Sequence, residues 1–225
     1  MNDIEKENVD NKEANLKEKN RTIYNVIKRI FDFILSLLAI IVLSPVFLII
    51  AIIVRIDSKG PAFYVQKRIG LNGKLFRIYK FRTMVVGADK KLRKYLEENP
   101  EALEEYEKYK KLNDDPRTTK MGIFLRKTSL DELPQLINII KGEMSIVGPR
   151  PYLLKEKKDM GKYYDSIITC KPGLTCIWQV SGRSNLSFQQ RLDLDMEYLN
   201  KRSIKLDIIL IFKTFYKIFK SEGAV

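Results

Sequence analysis

The fold is decided by the stretch FILSLLAIIVLSPVFLIIAIIV, residues Phe33–Val54, which contains no charged side chain. About 20 apolar residues suffice to cross the hydrocarbon core of a bilayer. The stretch is longer than the apolar part of a signal peptide, a net acidic region precedes it, and no small-residue cleavage site follows. The sequence therefore predicts a membrane segment near the N-terminus rather than a cleaved leader.

A proline interrupts this membrane segment at Ser44-Pro45. Pro45 has no backbone N–H to donate to the carbonyl of Ile41, and its ring crowds the preceding turn, so a helix is expected to kink sharply here. Each half is too short to cross a bilayer alone, and both flanks are basic, which the positive-inside rule places in the cytoplasm. These features favour a re-entrant helical hairpin; a kinked transmembrane helix with its N-terminus outside is the alternative.

The chain is strongly basic, with a formal net charge of +13 over 225 residues. Residues 1–20 and 89–115 are each net acidic, so the positive charge is concentrated in the membrane-flanking and C-terminal portions. Such a field indicates phosphates, nucleic acid or anionic lipid as partners. The sequence has no histidine, which excludes a His general base, a Ser-His-Asp triad and a His-ligated metal. Two cysteines are too few for a disulfide framework or a zinc site, so carboxylates must carry any nucleophilic, acid–base or metal-binding role.

The sequence divides into four segments and predicts an α+β, mainly helical fold. Residues 1–22 are polar and lack apolar periodicity, which predicts a disordered lead-in. Residues 23–56 form the membrane helix–break–helix, 57–202 a cytosolic domain, and 203–221 an amphipathic helix at the membrane surface.

The cytosolic domain contains one strong strand signal. Asn72-Gly73 lies between two segments rich in aromatic and aliphatic residues, Ala62–Ile69 and Lys74–Phe81, and predicts a small β-hairpin. The segment Asp89–Leu112, rich in Glu, Lys and Leu, predicts one or two exposed helices with a break near Asn99-Pro100.

The C-terminal segment Ser203–Ser221 is rich in Ile, Leu and Phe, with Lys213, Lys217 and Lys220 at helical spacing on one face. A basic amphipathic helix of this kind suits the headgroup layer of an anionic bilayer. The pattern equally fits a helix that packs into a core and keeps a solvated lysine face.

The chemistry is concentrated in Arg126-Lys-Thr-Ser-Leu-Asp-Glu-Leu-Pro-Gln-Leu136. Ser129 followed by Glu132 matches a capping box, which would place Asp131 and Glu132 in the first turn of a helix for purely structural reasons. The basic residues upstream and the absence of histidine favour a chemical role. A carboxylate near backbone N–H groups that attract phosphate is placed to attack phosphorus, and its neighbour could help to hold Mg2+.

These motifs together resemble the bacterial sugar transferases, the monotopic polyprenyl-phosphate phosphoglycosyl transferases. The resemblance covers nearly the whole chain from about Lys28, and five motifs in order make it specific. They are Asp57-Ser58-x-Gly60-Pro61, Lys80-Phe81-Arg82-Thr83-Met84, Thr128 through Gln135, Val147-Gly148-Pro149-Arg150-Pro151, and Lys171-Pro172-Gly173-Leu174-Thr175 through Gln179-Val180-Ser181-Gly182-Arg183.

The resemblance implies transfer of a sugar-1-phosphate from a UDP-sugar to undecaprenyl phosphate at the cytoplasmic face of the bacterial inner membrane, with Mg2+ and release of UMP. It implies a re-entrant membrane helix broken at Ser44-Pro45. It also implies a ping-pong course in which Asp131 forms a phosphosugar-aspartyl intermediate and Glu132 supports the metal or the geometry, so that both acids are candidate metal ligands.

The candidate phosphate and nucleotide-sugar ligands are mostly cationic, because phosphoryl transfer between anions needs charge neutralisation more than proton transfer. Arg150 and Arg183 lie in loops rich in glycine and proline, where a guanidinium can bind phosphate oxygens bidentately. The remaining candidates are Lys80, Arg82, Arg126 and Gln179.

Several alternatives stay open at this point. Trp178 either packs in the core or stacks on the uracil ring, and Cys176 stands where many relatives have glycine. The acidic insertion resembles that of members transferring galactose- or glucose-1-phosphate, but an N-acetylated sugar is not excluded, and a homodimer is open. A non-enzymatic module that binds anionic lipid or nucleic acid is the alternative function; the resemblance implies no nucleic-acid partner.

Overall fold

The computed structural model describes residues 3–109, 112, 114–182 and 186–220, with side chains described from Arg21 to Lys217 within those ranges. The α-helices and β-strands, in chain order, are α1 (Asp3–Asp57), β1 (Phe63–Ile69), β2 (Leu75–Phe81), α2 (Ala88–Glu98), α3 (Pro100–Tyr109), α4 (Lys120–Lys127), α5 (Gln135–Lys141), β3 (Ser145–Val147), α6 (Lys157–Met160), α7 (Tyr164–Ile167), β4 (Gly173–Thr175), α8 (Ile177–Ser181), α9 (Phe188–Lys201) and α10 (Ile204–Lys220). This confirms the predicted α+β, mainly helical class.

Helix α1 is continuous from Asp3 to Asp57 and contains Pro45. The hydroxyl of Ser44 donates to the carbonyl of Ile41 at 2.9 Å, which is the acceptor that Pro45 leaves without a backbone donor. The predicted helix–break–helix therefore appears as one helix, in which the Ser44 hydroxyl replaces the backbone donor that Pro45 lacks. Within the described residues, Arg21–Asp57 is the one helix long and apolar enough to cross a membrane, and few of its side chains are buried. Whether it crosses or turns back stays a prediction.

The lead-in differs from its prediction, because helical conformation starts at Asp3 rather than after residue 22. The segment contains Glu, Lys, Ala and Leu, which are strong helix formers, and a helix nucleated in the apolar stretch extends into such a sequence at low free-energy cost. Propensity, rather than apolar periodicity, determines its conformation.

The β-hairpin forms as predicted. Strands β1 and β2 pair antiparallel from Phe63 opposite Phe81 to Ile69 opposite Leu75, and Asn72 in the connecting 3-10 turn has a φ of 54°. Paired residues share a face, so Tyr64 and Lys80 lie on the same side of the hairpin. The break between α2 and α3 at Asn99 also agrees with the sequence prediction.

Polar contacts along α1, among them those of Asp32, Lys28 and Arg29, attach it to the rest of the protein. Buried Asp32 accepts hydrogen bonds from the hydroxyl of Ser145 and the backbone N–H of Ile146. Lys28 forms a salt bridge of 2.8 Å with Asp207 of α10. The guanidinium of Arg29 donates to the carbonyls of Ile139 and Ile140 in the last turn of α5, the first of which also accepts from the backbone N–H of Gly142. The membrane helix is thus bound directly to the elements that carry the site.

Helix α10 packs one face into the domain, as one of its two predicted alternatives has it, and its contact with a membrane surface stays a prediction. Leu210 and Asp207 are buried against the domain. Its other faces leave large apolar side chains exposed, namely Ile208, Ile209, Phe212, Phe215 and Tyr216. An exposed aromatic and aliphatic surface next to lysines is typical of a helix at a membrane surface.

Candidate functional site

The acidic pair Asp131 and Glu132 lies on a 3-10 turn between two helices. Helix α4 ends at Thr128, Ser129 takes a left-handed conformation with φ 57°, and the turn Leu130–Glu132 follows. The capping-box prediction was wrong, because Ser129 makes no side-chain cap and α5 begins only after Pro134. The left-handed residue reverses the chain tightly enough to bring the dyad back towards β2.

Lys80 is the cation closest to the dyad among the described residues. Its ammonium lies 2.5 Å from Oε1 of Glu132 and 3.8 Å from Oδ2 of Asp131. The lysine side chain is three-quarters buried, which strengthens both interactions relative to a surface pair. Lys80 thereby neutralises part of the charge of two adjacent carboxylates.

Asp131 is 7% exposed, and this burial raises its pKa from 3.8 to about 6. Within that net rise, the charge of Glu132 acts in the same direction as burial, whereas the cations Lys80 and Arg126 oppose it. Asp131 is therefore mostly ionised at neutral pH yet poorly solvated, which is the state that favours attack by a carboxylate.

Arg126, in the last turn of α4, is close enough to Asp131 for its charge to lower the pKa of that carboxyl. Its Nε donates to Oγ1 of Thr83 at 3.1 Å and its Nη1 to Oγ1 of Thr118 at 3.3 Å. Both acceptors are neutral hydroxyls, so the guanidinium keeps its full charge next to the carboxylate.

A cleft lies beside Glu132. Its empty volume is about 430 Å³, which includes space open to solvent. Its walls come from both strands of the hairpin, the start of α5, the Gly-Pro-Arg-Pro loop and α8. The lining residues are Arg68, Ile78, Lys80, Glu132, Gln135, Arg150, Pro151, Gly173, Leu174, Cys176, Trp178 and Gln179. The structure therefore brings three of the predicted ligands, Arg150, Gln179 and Lys80, to one surface, and their role in binding phosphate stays a prediction.

Three nitrogen donors in the walls of the cleft are buried without a hydrogen-bond partner. They are Nε of Arg68, Nε2 of Gln135 and Nε1 of Trp178. A buried donor left unpaired costs roughly 1–3 kcal/mol, so three in one cleft indicate a ligand rich in hydrogen-bond acceptors.

Trp178 carries two arginines over its ring. The guanidinium of Arg150 lies 5.7 Å from the ring centroid and that of Arg191 lies 5.1 Å away. Burial, together with the nearby charge of Arg150, lowers the pKa of Arg191 and of Arg68 to about 10. Like charges held close together in this way favour the binding of an anion.

Of the predicted phosphate ligands that the structure describes, Arg82 and Arg126 do not line the cleft. Arg82 is buried and donates through Nη2 to the carbonyl and hydroxyl of Ser58 and, at 3.3 Å, to the carbonyl of Val54. Gly60 permits this arrangement, because a Cβ there would lie 2.0 Å from Nη1 of Arg82. Arg82 thus closes the C-terminal end of α1 rather than lining the site. Arg183 lies outside the described residues.

The sequence reasoning missed Arg68, Gln135 and Arg191. Arg68 could have been found from the strand period, since it shares a hairpin face with Lys80. Gln135 stands in the motif already quoted. Arg191 gave no sequence signal, because an arginine in an amphipathic helix ordinarily faces solvent, whereas here it is 3% exposed.

A membrane-length helix joined to an arginine-rich cleft with a buried carboxylate defines a membrane-associated transferase that acts on phosphorylated substrates. The chain belongs to the bacterial sugar transferase family, whose model matches residues 23–221. The family assignment predicted from the five motifs is confirmed, and the protein is an enzyme of the sugar-1-phosphate transferase type.

Its relatives fall into two lengths. The exopolysaccharide production protein ExoY of Sinorhizobium fredii is 44% identical over 91% of this chain and 90% of its own length. The undecaprenyl-phosphate galactose phosphotransferase of Salmonella typhimurium is 42% identical over 88% of this chain but only 41% of its own length. The UDP-glucose:undecaprenyl-phosphate glucose-1-phosphate transferase of Escherichia coli is 35% identical over the same two shares. The chain thus spans nearly all of one relative and less than half of the others.

Proposed function

We propose that this protein transfers a sugar-1-phosphate from a UDP-sugar to undecaprenyl phosphate at the cytoplasmic face of the bacterial inner membrane. The observation that carries the proposal is the buried carboxylate of Asp131 near the charges of Lys80 and Arg126, adjacent to Glu132, which lines a cleft with unpaired donors. The names of relatives in Salmonella and Escherichia coli specify this reaction for galactose and glucose.

The cleft fits the UDP part of the donor. A diphosphate supplies an acceptor for the unpaired Nε of Arg68 and negative charge close to Arg150, and uracil supplies two carbonyl oxygens for Gln135 or Trp178. Glu132 lines the same cleft and Asp131 precedes it in the chain, so the proposal has the β-phosphate at this end of the bound nucleotide.

The reaction proceeds in two displacements. In the first, an Oδ atom of Asp131 forms a bond to the β-phosphorus, the bond from that phosphorus to the bridging oxygen breaks, and UMP leaves with the electron pair. In the second, an oxygen of undecaprenyl phosphate forms a bond to the same phosphorus, and the acyl phosphate bond to Asp131 breaks. The arginines and Lys80 stabilise the charge that develops in each step.

Asp131 and Glu132 suit Mg2+, which prefers oxygen ligands and usually takes one or two carboxylates together with substrate phosphates and water. Lys80 already lies against both carboxylates, which marks this place as one that attracts a cation. No cluster of three or more acidic or cysteine side chains suited to a metal occurs in the described part of the chain. Mg2+ would neutralise phosphate charge here only with the substrate as co-ligand.

The membrane contacts orient the site towards a lipid acceptor. Helix α1 exposes apolar side chains along the stretch Ile34–Ile52, and α10 exposes Phe212 and Phe215. Both helices are held together by the Lys28–Asp207 salt bridge. An acceptor whose phosphate lies in the headgroup layer would thus meet a domain that is fixed at the same depth.

The test is release of UMP by protein in nanodiscs, with Mg2+, undecaprenyl phosphate and a panel of UDP-sugars. Wild type should release UMP with one hexose donor, and Asp131→Asn should not, although it binds UDP and inserts normally. Residual turnover of Asp131→Asn near the wild-type rate would exclude the covalent course. If folded wild-type protein released no UMP with any UDP-sugar, the proposed function would be refuted.

A further inference from the structure

The orientation of Arg126 depends on two threonines from different segments of the chain. Thr83 follows β2 and Thr118 precedes α4, and their hydroxyls accept from Nε and Nη1 of the same guanidinium. An arginine side chain has several rotatable bonds, so two acceptors on adjacent nitrogens are needed to fix the plane of its fork.

Thr83 is itself held rigidly. It is 8% exposed, and its carbonyl accepts from the backbone N–H of Thr119 at 3.0 Å. Helix α4 packs against its backbone so closely that a Cβ on Gly122 would lie 2.0 Å from the carbonyl oxygen of Thr83. The hydroxyl of Thr83 therefore has a fixed position relative to the helix that carries Arg126.

Thr118 is held in place by a separate set of contacts. It pairs with Met84 in an antiparallel bridge, and its N–H donates to the carbonyl of Asp115. Asp115 also binds Arg117 through both carboxylate oxygens at 2.6 and 2.7 Å, with both side chains largely buried. The ion pair stabilises the turn that presents Thr118.

The chemical type of the two acceptors matters. A carboxylate holding Arg126 would cancel much of its charge, whereas a hydroxyl accepts the hydrogen bond and leaves the charge available. Two of the five N–H donors are used in this way, and the charge remains close enough to Asp131 to act on it.

We propose that Thr83 and Thr118 are positioning residues that aim the guanidinium of Arg126 at the phosphoryl group while it is attached to, or leaving, Asp131. The inference rests on the proposed function and adds to it a set of neutral acceptors that orient a catalytic cation. Misplacing a charged group by about 1 Å can cost on the order of 100-fold in rate, so the threonines act mainly on kcat.

The experiment compares Thr83→Val, Thr118→Val and the matched controls Thr83→Ser and Thr118→Ser in the UMP-release assay, with thermal unfolding as a check of folding. Valine keeps the side-chain volume but removes the hydroxyl, and serine keeps the hydroxyl. Each valine variant should lose kcat by about 10- to 100-fold with KM for the UDP-sugar changed by less than about threefold. Each serine variant should stay within about threefold of wild type.

A double-mutant cycle separates positioning from a general structural role. In an Arg126→Ala background, Thr83→Val should cost less than about twofold, because the group it positions is gone. An equal loss in both backgrounds, or valine variants with wild-type kcat, would overturn the inference while leaving the proposed function intact. If wild type itself releases no UMP, the proposed function fails and this inference fails with it.

Discussion

The ammonium of Lys80 lies 2.5 Å from the carboxylate of Glu132 and 3.8 Å from the carboxylate of Asp131. The lysine is thus bound mainly by the second acid of the dyad, and the first acid keeps an oxygen available for attack on phosphorus. This unequal sharing separates the two carboxylates chemically although they are adjacent in sequence. The predictions below follow from it and from the cleft beside it.

Replacing Lys80 with methionine should lower kcat by about 100-fold and move the acidic limb of the pH–rate profile to higher pH. The physical reason is that Lys80 is the largest influence lowering the pKa of Asp131, so its loss leaves burial and Glu132 to raise that pKa further. Lys80→Arg serves as the control and should keep the limb within about half a pH unit of wild type. An acidic limb at the same pH in Lys80→Met as in wild type would contradict the role of Lys80 in lowering the pKa of Asp131.

The wild-type rate should fall as the pH is lowered through about 6, the pKa to which burial raises Asp131. The reactive form is the carboxylate, so below this pKa the rate should decrease about tenfold per pH unit. Initial rates of UMP release at saturating Mg2+ between pH 5 and 8 measure this. A profile flat down to about pH 4.5 would show that Asp131 titrates near its ordinary value.

Asp131→Asn should be more stable than wild type at neutral pH in EDTA without substrate. The pKa of Asp131 is raised from 3.8 to about 6 on folding, so the folded state binds more protons in that window and stability decreases as the pH rises through it. At pH 7.5 the buried charge therefore costs free energy, at most roughly 3 kcal/mol, which asparagine relieves. Thermal unfolding should show a higher midpoint, and the difference from wild type should vanish below about pH 4.

The matched control for that stability measurement is Asp32→Asn. Asp32 is equally buried, but its carboxylate accepts hydrogen bonds from Ser145 and Ile146 and lies 3.9 Å from Lys28. Its replacement should lower the unfolding midpoint, because a paired charge is lost rather than an unfavourable one. Equal shifts in both variants would indicate a nonspecific effect of removing an acid.

Arg82→Met and Arg150→Gln should have opposite effects. Arg82 bonds to Ser58 and Val54 at the end of α1, so its loss should lower the thermal stability while kcat per folded enzyme changes less than about threefold. Arg150 lines the cleft, so its loss should weaken UDP binding with little change in stability. Calorimetry with UDP and thermal unfolding, run on both variants, distinguish the two roles.

Trp178 should report nucleotide binding directly. It is the single tryptophan of the chain, it lines the cleft, and two guanidiniums lie over its ring. Titration with UDP should change its fluorescence saturably, because an anion draws the guanidiniums off the ring or pairs with them. Arg150→Gln should need at least about tenfold more UDP for half the signal. An unchanged spectrum at saturating UDP would place the nucleotide elsewhere.

Much of the architecture followed from local patterns. The β-hairpin, the paired helices α2 and α3 and the amphipathic α10 depend on turn residues, breakers and apolar periodicity, all of which act over a few neighbouring residues. The family assignment followed from the order of five short motifs, and the family model confirms it.

The sequence by itself determined the composition of the site: no histidine, an acidic dyad and an excess of cations, hence carboxylate chemistry on phosphates. Only the tertiary structure decided which cations take part. It turned Arg82 towards Ser58, brought Arg68 to the cleft and Arg191 over the ring of Trp178, and set Thr83 and Thr118 against Arg126. The physical reason is that a long charged side chain can reach in several directions from one backbone position. Burial and the partners contributed by distant segments select among them, and neither can be read from neighbouring residues.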